Sequence, residues 1–275
     1  MSIASSGAGP SAEVSVSVVV PCYEARATIR RALESVFSQT VRPFEVIAVD
    51  DASTDGTPEL LEELRSELPE GWLRIVRSTV NRGPSAARNE GWEAARGEFV
   101  AFLDADDSWM PRKIEVQHHV MAENPGVALS AHLHAFNRDS AVARQASGCR
   151  DISFQDLLWR NRFVTPSVMI RRDIPLRFRP EQRHMEDHLL WMQLAHAGHR
   201  IVQIDQVLAV LHKPSFGASG LSANLFAMER AELRNYLWLW RNGCINAAAM
   251  SALTAWSVAK FTRRLGIVAG RKLAG

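Results

Sequence analysis

Apolar residues in this chain alternate between two rhythms. Short apolar runs at residues 16–20, which is β-branched, 44–49 and 99–103 read as buried strands, and 73–78 as a further short strand. Between them the spacing changes to that of one helical face. Ile29, Leu33, Val36 and Phe37 form the first such stripe, and Leu60, Leu61, Leu64 and Leu68 the second. An alanine-rich stretch, 85–95, forms the third helix. Thr57 followed by Pro58 predicts a capped helix start, Gly83-Pro84 opens the next helix, and Gly97 stops it. Strand and helix thus alternate four times with short connections. That pattern predicts an α/β fold with a doubly wound parallel sheet and right-handed crossovers.

After Pro111 the alternation stops. A helix is expected to about Glu123, then a strand at 127–135 with one wet face made by Ser130, His132 and His134. Further strands are expected at 163–171 and 201–211, with a helix at 187–197 between them. The sheet therefore becomes mixed, although mostly parallel. Helices are expected at 224–240 and 246–265, the latter carrying Trp256, Lys260, Arg263 and Arg264. The resulting organisation is a disordered terminus at 1–13, an α/β domain at 14–220 divided at 113/114, and a helical C-terminal extension at 221–275.

Parallel strands gather their carboxyl-end loops on one edge, where open α/β sheets bind ligands. Three such loops are polar or acidic. The first holds Pro21, Cys22, Tyr23 and Glu24. The second begins with Asp50 and Asp51. The third holds Asp104, Ala105, Asp106 and Asp107. Three carboxylates in four residues repel one another, and hard cations such as Mg²⁺ or Mn²⁺ prefer such oxygens. Because these ions also take phosphate oxygens, a metal–diphosphate site is the expected chemistry; alone, the cluster would also fit a solvated acidic turn. The ring of Tyr23 can pack beside a base, or lie in the core. A carboxylate at Asp50 or Asp51 can accept from a base N–H or a ribose hydroxyl. Arg82 leads into a helix N-terminus, which favours anions, and Arg88 can reach a phosphate or form a surface salt bridge.

Composition narrows the picture. The 275 residues are 47% hydrophobic and 23% charged, enough for a real core, and the net charge of +2 gives no electrostatic case for nucleic acid. Three widely spaced cysteines, Cys22, Cys149 and Cys244, make neither a disulfide framework nor a zinc motif. A reducing, cytoplasmic setting is expected. The first residues lack the features of a signal peptide, and no apolar run is long enough to span a bilayer.

Five blocks, in order, resemble family 2 glycosyltransferases, enzymes of the GT-A fold. They are VSVVVPCYE closing at Glu24, VDDASTDGT at 49–57, NRGPSAARNEG at 81–91, FLDADDSWMPRK at 102–113 and HMEDHLLWMQL at 184–194. The resemblance covers about residues 15–215. It implies inverting transfer of a sugar from a nucleotide donor, expected to be a UDP-sugar, to a saccharide or lipid-linked acceptor in cell-envelope or polysaccharide biosynthesis. It also implies roles. Pro21, Tyr23, Glu24, Asp50, Asp51, Arg82, Arg88, Asp104 and Ala105 bind the donor, with Asp51 on the base. Asp106 is the preferred ligand for Mn²⁺ or Mg²⁺, helped by Asp104 and by His212, which precedes a candidate lid at 214–220. Asp187 is the general base and Glu186 orients it or the acceptor. Acids in a helix's first turn are also simply stabilising.

The C-terminal helices are expected to pack on the domain, or to touch the inner face of the membrane peripherally. A sugar-phosphate nucleotidyltransferase is the alternative enzyme, although PCYEARAT lacks the glycine-rich basic loop it usually needs. A non-catalytic nucleotide-sugar binding protein is the alternative from another class. Neither the dinucleotide nor the P-loop glycine motif occurs.

Overall fold

The computed structural model describes residues 13–136, 145–213 and 224–274. The expected disordered terminus, the candidate lid at 214–220 and the domain boundary at 220 lie outside the described residues, save for residue 13. The first half follows the predicted alternation: β1 (Glu13–Cys22), α1 (Ile29–Phe37), β2 (Arg42–Asp50), α2 (Thr57–Glu67), β3 (Leu73–Arg77), α3 (Pro84–Ala94) and β4 (Phe99–Phe102). The second half holds β5 (Ser108–Trp109), α4 (Lys113–Ala122), β6 (Val127–Ala135), β7 (Gln145–Asp151) and α5 (Phe154–Trp159). A 3₁₀ turn at Thr165–Ser167 leads to β8 (Met169–Arg171), α6 (Glu186–His196), β9 (Arg200–Val210), α7 (Leu225–Arg241) and α8 (Ala247–Ala274).

Among the described residues the strands form one nine-stranded sheet in the order β3-β2-β1-β4-β8-β6-β9-β5, with β7 on β9. The first four strands are mutually parallel. Beyond β4, β8 runs antiparallel to both its neighbours, while β6 and β9 are parallel to each other. The period of two in each strand sorts side chains between two cores. Val16, Val18, Val20, Val46 and Ala48 face α1, α2 and α4. Val19, Ile47, Val49, Val100 and Phe102 face α3 and α6, together with Tyr236, Leu239 and Leu253 of the last two helices. Burial on both faces is why these strands are continuous apolar runs.

Four local expectations need correction. The Thr57 side chain does not cap its own helix; its hydroxyl accepts from Ala25 N–H at 2.9 Å and donates to Asp55 Oδ1 at 2.5 Å. The strand expected at 163–171 shrinks to β8, because Pro166 lies in the 3₁₀ turn. β6 has no wet face over Ser130 and His132. Both are buried: Gln117 Nε2 donates to the Ser130 carbonyl and hydroxyl, and His132 Nδ1 donates to Leu133 O. The last helix runs on to Ala274 rather than ending at 265.

Close approach rather than turn chemistry explains two glycines. A Cβ on Gly91 would meet Val19 Cγ1 at 2.4 Å, so α3 lies directly on β1. A Cβ on Gly97 would meet the Ser17 backbone nitrogen at 2.7 Å. At the sheet edge away from the loops, buried Glu45 accepts from Ser17, Arg74 and Arg96 and ties these strand starts together.

Candidate active site

The loops after β1 and β2 are knitted to each other. Glu24 N–H donates to Ser53 Oγ at 3.0 Å, and Glu24 Oε1 accepts from Thr54 N–H at 2.9 Å. Arg26 N–H donates to Asp55 Oδ2 at 3.1 Å. Tyr23 stands out of this turn, 55% exposed, whereas the other tyrosine, Tyr236, is buried. Asp50 accepts from Ser53 N–H, three residues on, at 3.2 Å, which holds the turn that follows β2. Asp51 is also buried. Its two oxygens accept from Arg82 N–H at 2.9 Å and Gly83 N–H at 2.7 Å. The carboxylate expected on the base is therefore also the clamp that sets the entry to α3. Arg82 is exposed and paired with Glu90.

Arg88 joins the two halves of the chain. From α3 its Nη2 donates to Asp104 Oδ1 at 2.7 Å and its Nη1 to Glu186 Oε1 at 2.8 Å. It is buried, so the surface salt bridge considered from the sequence is excluded. Burial pulls the guanidinium down, but Asp104 and then Glu186 outweigh it and hold it above its ordinary range. Glu186 and Asp187 open α6. Burial raises both above the usual carboxylate range; Arg88 opposes this for each, and Asp187 adds to it for Glu186. Asp187 is half-buried, held by His188 N–H at 2.7 Å and by Asn161 Nδ2 at 3.3 Å. Met185, just before the pair, has φ 54°. With Glu24 (φ 48°) and Ala52 (φ 62°), it completes the described non-glycine residues of positive φ, and all three lie in these loops. Each such conformation costs about 1–2 kcal/mol and persists where surrounding contacts impose it, often at functional sites.

The aspartate turn continues from β4. Asp106 is partly exposed, and Lys213 Nζ lies 2.7 Å from its Oδ2. Arg31 donates to the Asp106 carbonyl at 2.5 Å. Asp107 points inward and accepts from His212 N–H at 3.2 Å. Burial, then the charges of Asp104 and Asp106, pushes Asp107 up to about 8. The His212 ring lies with Nε2 2.9 Å from Ser108 Oγ. Among the described residues no three His, Cys, Asp or Glu side chains are grouped to hold a metal ion. Asp104, Asp106 and His212 thus share one region without forming a three-ligand cage. The donor set still fits a hard divalent cation. Mg²⁺ is commonly held by one or two carboxylates and completed by substrate phosphates, and the charges of Asp104 and Asp106, which add to burial in raising Asp107, are what a cation would offset.

Sequence reasoning missed Asn161, Lys213 and Arg31. Lys213 had a signal, being one of only four lysines and adjacent to His212. Asn161 and Arg31 had none, because their partners are distant in sequence. His188, beside the acid pair, has a structural place. It is buried and its Nε2 donates to Leu157 O at 2.7 Å. Trp191 is core, its ring 5.8 Å from that of Phe178.

An acid cluster and an acid pair meet at the carboxyl edge of a doubly wound sheet. That arrangement defines a class, the α/β transferases of the GT-A fold. A family model described as Glycosyl transferase family 2 matches residues 17–183. The chain belongs to that family and is a glycosyltransferase. It is 32% identical over 176 residues to Bacillus subtilis TuaG, a protein named for teichuronic acid biosynthesis, covering 58% of this chain and 69% of that one. It is 28% identical over 179 residues to Escherichia coli WfgD, a UDP-Glc:α-D-GlcNAc-diphosphoundecaprenol β-1,3-glucosyltransferase, covering 65% and 69%. Among solved structures, S. aureus TarS residues 1–349 with UDP-GlcNAc superposes with a TM-score of 0.67 at 20% identity, over 88% of this chain and 71% of that one. The Pyrobaculum calidifontis mannosyltransferase PcManGT, with GDP-Man and Mn²⁺, gives 0.67 at 22%, over 93% and 75%.

Proposed function

We propose that the protein moves a sugar from a nucleoside-diphosphate donor, a UDP-sugar, to a hydroxyl of a saccharide or lipid-linked acceptor in cell-envelope polysaccharide synthesis. The observation that carries this reading is the Arg88 bridge. It holds Asp104, at the end of a nucleotide-side strand, and Glu186, beside the acceptor-side acid, on one guanidinium. The relatives named above support the donor and acceptor classes.

In this reading the turn at Tyr23 and the carboxylates of Asp50 and Asp51 receive the nucleoside. Asp104 and Asp106 would hold the divalent ion, which supplies Lewis-acid stabilisation of the departing diphosphate. Lys213 and Arg31 bring positive charge to the same turn. Asp187 takes the proton of the acceptor hydroxyl, and its raised affinity for a proton makes it the stronger base. The acceptor oxygen then bonds to the anomeric carbon from the face opposite the diphosphate. The carbon–oxygen bond to the diphosphate breaks, and its electron pair leaves with the nucleotide, inverting the centre. Glu186, engaged by Arg88, keeps the helix start and Asp187 in place.

The test is release of nucleoside diphosphate from a panel of sugar nucleotides, with lipid-linked and free saccharide acceptors. The wild type turns over a UDP-sugar. Asp187→Asn lowers kcat by about 10²–10⁴ while UDP affinity is kept, the usual worth of a general base. Unchanged kcat in that variant, or no turnover of any sugar nucleotide, would contradict the assignment.

A further inference from the structure

The chain's 32 Lys and Arg and 30 Asp and Glu are unevenly placed. The 43 residues after Glu232 contain seven basic residues and no acidic one, leaving the rest of the chain net acidic. Most of this segment is α8, 28 residues long and therefore about 42 Å from end to end. One side of α8 is packed. Leu253 and Ser257 are buried, Lys260 pairs with Glu232 at 2.5 Å, and the Phe261 ring meets that of Phe226. The other side is exposed, yet between Ser251 and Lys260 it consists of Ala252, Ala255, Trp256, Val258 and Ala259. A water-facing helix side ordinarily carries charge. Here the charge comes a turn later, at the exposed Arg263; Arg264 lies on the packed side, near enough to act on the buried Tyr236. Trp256 is 47% exposed, as is Trp159 of α5; their rings are edge-on at 6.4 Å and Trp256 Nε1 donates to Trp159 O.

We propose that the exposed side of α8, with the Trp159–Trp256 pair, docks on an anionic phospholipid surface. The choice of occupant follows from charge complementarity. Acid-free basic sequence beside an exposed apolar strip with tryptophan matches a negatively charged bilayer interface, where indole rings sit at headgroup depth. A spanning mode is not needed: among the described residues no helix is long and apolar enough to cross a membrane. Trp159 is also two residues before Asn161, which holds Asp187. Docking through this pair would bring the acid-pair side of the site to the lipid surface, a consequence that rests on the proposed acceptor; the docking itself does not.

The experiment is co-sedimentation of the full chain with vesicles of phosphatidylcholine alone, and with phosphatidylglycerol as about a third of the lipid. Binding is expected only to the anionic vesicles, falling as salt is added. Arg263→Gln, a change at an exposed position, should weaken it about fivefold, and the charge reversal Arg263→Glu should weaken it further. Trp256→Ser should weaken it and reduce quenching of tryptophan fluorescence by brominated lipid. Equal binding to both vesicle types, no binding at low salt, or indifference to both changes at Arg263 would overturn the proposal. A concentration-dependent dimer dissolved by Trp256→Ser, without vesicle binding, would assign the face to a second copy and also overturn it. No turnover is read, so failure here leaves the transfer reaction standing.

Discussion

Arg88 is the residue on which both carboxylate groups depend. Removing it leaves Glu186 buried and charged without its cation, a loss that typically costs about 3–5 kcal/mol. The pH dependence has a definite sign. Glu186 and Asp187 have raised affinity for protons in the folded protein, so the native state binds more protons than the unfolded state above the usual carboxylate range. Stability therefore falls as pH rises through that window. Arg88→Met removes the cation that opposes the shift and widens the window. Urea unfolding should show the variant far below wild type at pH 8 and closer to it near pH 5. A gap that stays constant across this range would mean that Arg88 acts by packing alone.

At the scale of elements, α3 shows what the sequence conveyed and what it hid. Its start was legible from Gly83-Pro84, because a proline at the first helical turn has a local cause. Gly91, mid-helix, carries no local signal, since its reason is Val19 on a different element. Gly91→Ala should gain about 1 kcal/mol of helix propensity. It should nevertheless destabilise, because overpacking a tight contact costs about 1–3 kcal/mol. A thermal melt with raised Tm would contradict that packing. β6 failed for a related reason. Alternation of apolar residues with Ser130 and His132 reads as a half-solvated strand, yet both are buried; Ser130 finds its partner in Gln117 of α4, and His132 in the Leu133 carbonyl of its own strand. β5 and β8 are two and three residues long, too short to give a periodic signal, and they pair only with distant strands.

Across the whole molecule, the legible half is the one built from consecutive βα units, whose contacts lie near in sequence. The candidate site follows the same rule. Its acidic residues stand out because each ends a recognisable strand or begins a helix. The groups that hold them do not: Asn161 reaches Asp187 across 26 residues and Lys213 reaches Asp106 across more than a hundred. Only the folded chain brings these together, and it does so around one edge of one sheet. In the proposed function this edge binds a nucleoside diphosphate through the aspartate turn and a divalent ion. Calorimetric titration of UDP with and without Mn²⁺, on the wild type and on Asp106→Asn, tests it most directly. UDP binding should strengthen with Mn²⁺ in the wild type and lose that dependence in the variant. UDP binding indifferent to both the metal and the substitution would contradict it.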